Sequence, residues 1–221
     1  MDLLLVRHAE SEGNALGLMQ GLQDFALSER GRAQARRLAS WLAAQGIGWD
    51  RAFCSPLLRA HETATIVCEA TGHAPPELEP DLVELAAGTL EGLDRGQMAE
   101  RFPLFLQRHV TEIGDFAEFG GESYDAVQIR AQRLLERLSA GHRASSGKLL
   151  LVGHGGFHFQ LLKLLICLPV PRICIVRMSN ACATMVHLRD RRGTFMGELM
   201  WHVPVDLMGS ESGEGSSAIF R

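Results

Sequence analysis

Aromatic side chains and positive charge are both in short supply here: Phe, Trp and Tyr together make up 6% of the 221 residues, and the formal net charge is −4. A nucleic-acid surface usually shows as a basic stripe or as stacking aromatics, so nucleic acid is not an expected partner. No uninterrupted apolar run reaches the roughly 18 residues of a membrane span, which removes the membrane as a partner as well. The start, Met1-Asp2-Leu3, has no basic segment of the kind that opens a secretory signal, so a cytoplasmic location is expected. Cysteine is sparse, and its five residues (Cys54, Cys68, Cys167, Cys174, Cys182) form no C-x-x-C pair. Their odd number in strand and helix contexts suits reduced, buried thiols, with neither disulfide nor zinc implied. His154 and His158 stand four apart, like two ligands on one helical face, but no carboxylate cluster follows. No metal and no cofactor is expected.

What is present is an alternation of strand and helix signals over a hydrophobic content of 46%, enough for a sizeable core. This pattern predicts an α/β fold, a three-layer α/β/α sandwich around a mostly parallel sheet with an antiparallel edge. Residues 1–208 are read as one domain. Leu3 to Val6 reads as a buried strand. Ser28 can cap a helix to about Gln45, with Ala33, Leu38, Leu42 and Ala43 on one face. A strand at 51–54 feeds a helix to about Ala70, with Ser55 as N-cap and Pro56 first in the helix. Residues 75–122, rich in glycine (Gly88, Gly92, Gly96, Gly114, Gly120, Gly121), read as an irregular, cap-like insertion over the carboxyl edge of the sheet, where insertions tend to build pockets. A helix at 123–142 presents Val127, Ala131, Leu134, Leu135 and Leu138. A strand at 148–152 and a helix at 156–166 follow, stopped by Pro169 and Pro171. Residues 181–188 and 195–201 read as paired edge strands, and 209–221 as a low-complexity, mobile tail.

Chemistry gathers at the strand ends. Arg7-His8 follows the first strand, Gly153-His154-Gly155-Gly156 follows the strand at 148–152, and Arg59 stands in the first turn of the helix after the strand at 51–54. In an open α/β sheet the carboxyl ends of the strands form the ligand crevice. Arginine there prefers a bidentate oxyanion, and a helix N-terminus favours an anion. A phosphate site is the expectation.

Six motifs then carry a family resemblance. They are Leu5-Val6-Arg7-His8-Ala9-Glu10-Ser11-Glu12-Gly13-Asn14, Leu27-Ser28-Glu29-Arg30-Gly31, Ser55-Pro56-Leu57-Leu58-Arg59-Ala60-His61-Glu62-Thr63, Leu82-Val83-Glu84 with Gly88-Thr89-Leu90-Glu91-Gly92, Gly120-Gly121-Glu122-Ser123, and Val152-Gly153-His154-Gly155-Gly156. In this order the chain resembles the histidine phosphatase superfamily, which includes cofactor-dependent phosphoglycerate mutases and many small phosphatases. The resemblance implies a phosphoglycerate mutase-like fold and a metal-independent phosphomonoesterase acting on a small phosphorylated metabolite through a phosphohistidine. It implies His8 as nucleophile and Arg7, Arg59 and His154 around the phosphoryl oxygens. Glu84 would be the proton donor to the leaving oxygen, holding its proton beside a phosphate dianion. Asn14 would donate to the phosphate, Gln20 and Gly21 would border the substrate, and Gly155 with Gly156 would let backbone N–H groups approach it. Ser11, Glu10 and Thr63 read as supporting residues, and His73, His109, His142, His187 and His202 as surface or packing residues.

Elementary electrostatics fits these roles, because the charges of Arg7 and Arg59 disfavour protonation of His8, and a nucleophile must be neutral. The chain departs from the family at Leu90, where an aromatic is usual. The stretch Leu85-Ala86-Ala87-Gly88-Thr89 lacks the arginine and tyrosine of the mutases, and the insertion carries only Arg95, Arg101 and Arg108. Hydrolysis is therefore expected over mutase activity. A phosphoprotein or phosphohistidine phosphatase stays as an alternative, as does a silent phosphate-binding module, and a homodimer is left open.

Overall fold

The computed structural model describes residues 1–109, 115–142, 147–166, 176–191 and 194–209. Six strands form one sheet: β1 (Asp2–Arg7), β2 (Arg51–Cys54), β3 (Glu77–Leu78), β4 (Lys148–Gly153), β5 (Ala183–Arg191) and β6 (Thr194–Val203), in the order β3-β2-β4-β1-β5-β6. The first four are parallel neighbours, while β5 runs antiparallel to both β1 and β6, so the antiparallel edge is a hairpin. Seven α-helices are described: α1 (Glu12–Ala15), α2 (Glu29–Ala44), α3 (Leu58–Ala70), α4 (Arg95–Arg101), α5 (Pro103–His109), α6 (Tyr124–His142) and α7 (Gly155–Leu165).

The apolar runs of the central strands follow from coverage on both faces. Strand side chains alternate, so a strand buried on one face reads apolar at every second position, and one buried on both reads apolar throughout. Leu3 and Leu5 of β1 pack with α6 and α7, through Val127, Leu134 and Leu138 and through Phe157, Leu161 and Leu165. Leu4 and Val6 pack on the opposite face with α2 and α3, through Ala35, Leu38 and Leu42 and through Ala64 and Val67. This is the expected three-layer sandwich. Among the described residues, no helix is long and apolar enough to cross a membrane.

Several local expectations are corrected. In α2 the buried stripe is Gly31, Ala35, Leu38, Ala39 and Leu42, whereas Ala33 and Ala43 are exposed, since 3.6 residues per turn carries them off that face. Ser28 does cap this helix, accepting from the Gly31 N–H at 3.0 Å. Ser55 does not cap α3. That helix begins at Leu58 behind an extended Leu57 with no side-chain cap, and the hydroxyl of Ser55 turns toward the site instead. The insertion is less irregular than its glycines suggest: β3 extends the sheet, Met98 of α4 and Phe105 of α5 join the core cluster that holds α6 and α7, and Phe105 contacts Phe116 and Phe119, with Phe119 against Phe102. The first edge strand starts at Ala183 rather than 181, because Ala181 adopts a left-handed φ of 52°. Cys54, Cys68 and Cys182 are buried free thiols. Cys167, Cys174, Pro169, Pro171, Gly114 and tail residues 210–221 lie outside the described residues.

Candidate active site

Adjacent parallel strands β1 and β4 align Arg7 with Gly153, so the residues just beyond them, His8 and His154, emerge side by side at the carboxyl edge. Their ring centroids are 5.1 Å apart, with the planes tilted by 58°. The His8 backbone N–H donates to Gly153 O at 2.8 Å. Its ring Nδ1 lies 2.7 Å from Ala9 O, an acceptor only, so Nδ1 carries the proton and Nε2 the lone pair. His154 is fully buried behind it, with Nε2 2.8 Å from Ser55 Oγ.

Arg7 and Arg59 reach the same place from β1 and from the first turn of α3. Arg59 is 1% exposed and is held by Gln23 O at 2.7 Å and Gly21 O at 2.9 Å. Arg7 donates to Met178 O. Neither set of bonds uses Nε: Arg7 Nε, Arg59 Nε and His154 Nδ1 are buried with no hydrogen-bond partner among the described residues. Natural proteins rarely leave such buried polar atoms unmet.

Glu84 enters from the opposite side. Its carboxylate accepts from the N–H groups of Leu85 (2.9 Å), Phe157 (3.0 Å) and Gly156 (3.1 Å), and so occupies the N-terminus of α7. The neighbouring acids of the stretch are spent elsewhere, Glu77 on Arg51 and Glu79 and Asp81 on Arg137. Arg130 fixes the segment by donating to Asp81 O and Val83 O at 2.9 and 2.7 Å. These groups open into a pocket of about 300 Å³ lined by Arg7, His8, Asn14, Gln20, Gly21, Arg59 and Glu84, and by an apolar wall.

Residues 3–197 match the family described as the histidine phosphatase superfamily (branch 1). The chain belongs to that superfamily. It is 31% identical over 196 residues to phosphoserine phosphatase 1 of Hydrogenobacter thermophilus, covering 89% of this chain and 90% of the relative. It is 36% identical over 161 residues to a 2,3-bisphosphoglycerate-dependent phosphoglycerate mutase of Methylobacterium radiotolerans, covering 69% and 73%. A solved mycobacterial glucosyl-3-phosphoglycerate phosphatase, complexed with VO3, superposes with a TM-score of 0.80 at 29% identity, over 90% of this chain and 97% of that one.

For this superfamily member, the structure brings Arg7, His8, Asn14, Gln20, Gly21, Arg59 and Glu84 to one pocket, though not every expected residue lines it. His154 and Gly155 stand behind the pocket wall rather than in it. The N–H of Gly156, expected to approach phosphate, is taken by Glu84, together with that of Phe157. Both glycines also have a steric role: a Cβ on Gly155 would stand 3.2 Å from the Arg7 side chain, and one on Gly156 2.6 Å from Glu84 Oε1. Asn14 Oδ1 lies 3.2 Å from the Ser11 N–H and 3.0 Å from Asn180 Nδ2, which leaves its Nδ2 end for the pocket. Gln20 is tied to Ser11 Oγ at 2.8 Å. Gly21, at φ +50°, offers its carbonyl to Arg59.

Sequence reasoning missed four supports: Asn180, which also donates to His8 O at 3.2 Å; Ser55; Arg130; and Glu91, whose carboxylate joins the N–H groups of Leu22 and Ala87. Thr63, expected as a support, accepts from Ala9 N–H at 3.0 Å.

Burial, reinforced by the Arg7 and Arg59 charges, holds His8 well below the ordinary histidine value of 6.5. Burial likewise lowers His154, with His8 and Arg59 adding to it. His158, one turn along α7 and fully buried, falls to about 3, again mainly by burial. All three imidazoles are therefore neutral in the fold. An unfolded chain protonates each near pH 6.5, so below that value it binds more protons than the native state and stability falls with falling pH. The slope approaches about 1.4 kcal/mol per pH unit for each group. Denaturation midpoints are expected to hold steady above pH 7 and to drop steeply from 6.5 to 5. The His158→Phe variant should flatten that slope by one group's share, about 1.4 kcal/mol per pH unit; a profile no flatter than that of the parent chain would refute this account.

Proposed function

We propose that this chain hydrolyses the phosphomonoester of a small metabolite through a phosphohistidine on His8. The observation that carries the reading is the trio of buried, unpartnered donors, Arg7 Nε, Arg59 Nε and His154 Nδ1, gathered around an imidazole whose Nε2 holds its lone pair. The transferred phosphoryl group spreads its charge over three equatorial oxygens, so preorganised donors around it are the main catalytic need. An anion selects the His154 tautomer with its proton on Nδ1, Ser55 Oγ donating to Nε2.

In the first step Nε2 of His8 attacks phosphorus, the P–O bond to the alcohol breaks, and Glu84 gives the leaving oxygen its proton. In the second, water attacks the phosphohistidine, Glu84 takes the proton of that water, and phosphate departs. The sum is ester plus water to alcohol plus phosphate. Asn14 and Gln20 orient the substrate from the loop after β1.

Mutase activity is the competing reading, favoured by the relatives that carry that name. A mutase must hold a second anionic group while its phosphoryl group is retained. Arg95 and Arg101 of the insertion are exposed and line no part of the pocket, which supports hydrolysis. Incubation with 3-phosphoglycerate and a bisphosphate primer, following isomerisation and phosphate release together, tests the choice. Release without isomerisation is expected; robust isomerisation without release would overturn it.

A further inference from the structure

We propose that the alcohol this pocket accepts is uncharged and presents an apolar face, a benzylic or branched-alkyl group rather than a carboxylated or zwitterionic one. The inference rests on the phosphomonoesterase reading and adds the class of leaving group to it. The pocket is divided by chemistry. Its polar floor is the phosphoryl grip already described, and its wall is Leu18, Met19, Leu85, Met98 and Phe116.

That wall is a built surface. Leu85, Met98 and Phe116 are each less than a tenth exposed, so they are packed from behind and show only one side to the pocket. Phe116 rests on Phe105 at 6.2 Å between ring centroids, Phe105 on Phe119 at 5.1 Å, and Phe119 on Phe102 at 5.4 Å. Across the pocket, the loop carrying Leu18 and Met19 is stitched to the insertion, Met19 N–H donating to Leu93 O at 2.9 Å and Gly92 N–H to Met19 O at 2.8 Å. The two halves of the wall are thereby held at a fixed separation.

Among the described residues, the only cations lining the pocket are Arg7 and Arg59, and both belong to the grip on the phosphoryl group. A carboxylate on the leaving group would lie against methyl, thioether and phenyl surface with no described counter-charge, and such burial is strongly unfavourable. An apolar group in the same place gains by leaving water. The volume, about 300 Å³, is at the small end for ligand pockets and suits a phosphate plus a group of about one ring.

The test is a matched pair, benzyl phosphate and 4-carboxybenzyl phosphate, whose leaving alcohols differ in little but the charge. We expect kcat/KM to favour benzyl phosphate at least tenfold. The Leu18→Arg variant, which places a cation on the half-buried loop wall, should shrink or reverse that ratio. Both substrates are assayed on one preparation, so a misfolded fraction cancels. Equal or better turnover of the carboxylated ester by the parent chain would overturn the apolar assignment and leave hydrolysis standing. An unchanged ratio in Leu18→Arg would overturn it also. Release of phosphate from neither ester, nor from p-nitrophenyl phosphate, would overturn this inference together with the phosphomonoesterase reading.

Discussion

Replacing His8 by alanine is expected to lower phosphate release by about 10⁴-fold or more, the scale of loss when a nucleophile is removed from a site whose other groups persist. Binding of inorganic phosphate should survive. The groups proposed to meet the anion are Arg7, Arg59 and His154, and none of them depends on the His8 ring for its anchor: Arg59 is held by Gln23 O and Gly21 O, Arg7 by Met178 O, and His154 by Ser55 Oγ. The bonds that thread His8 into the site run through its backbone, to Gly153 O and from Asn180 and Ala181, and alanine keeps them. Removing the ring also relieves a desolvated imidazole, so the variant is expected to fold. The measurement is twofold: trapping of labelled phosphoenzyme, stable in base and lost in acid, and titration of phosphate by calorimetry. Persistence of the same phosphoenzyme in His8→Ala would mean that another side chain is the nucleophile.

How much of this was readable beforehand depends on whether the determinant is local. Arg7, His8 and His154 could be placed because they follow apolar runs whose continuity marks strands covered on both faces, and strand ends in such sheets meet at one edge. The two cores that sandwich β1 and β4 were likewise implicit in those runs. Asn180 was not readable. It lies in a short connection ahead of β5, carries no periodicity, and acquires its role only from partners 172 and 166 positions away, His8 and Asn14. Arg130 was not singled out either, yet it is 8% exposed, because the backbone carbonyls of 81 and 83 and the Glu122 carboxylate surround its guanidinium. Gly156 was read as approaching phosphate, but its N–H is taken by a carboxylate within the chain. A helix N-terminus attracts any anion, and sequence alone does not say that the anion is Glu84 of the same chain.

That carboxylate makes Glu84→Gln the most discriminating substitution in the site. Before substrate arrives, Arg7, Arg59 and Glu84 leave the pocket one unit positive, and three backbone N–H groups suit the ionised acid. A dianionic ester reverses the balance to one unit negative, and in the proposed mechanism Glu84 gives the leaving oxygen its proton. Glutamine cannot deliver that proton. The loss should therefore track the basicity of the leaving oxygen: about 10³-fold in kcat for an alkyl phosphate, within the range for general acids, and only a few-fold for p-nitrophenyl phosphate, whose phenolate departs unaided. Glutamine also turns an amide N–H toward one of the N–H groups it replaces as partner, which weakens the cap on α7 and costs about 1–3 kcal/mol of stability. Structural damage of that kind lowers turnover of both substrates alike. The readout is consequently the ratio of the two losses, measured on one preparation at saturating substrate. Equal losses for the alkyl and nitrophenyl esters would assign Glu84 to capping the helix alone and leave the leaving oxygen without a proton donor in this pocket.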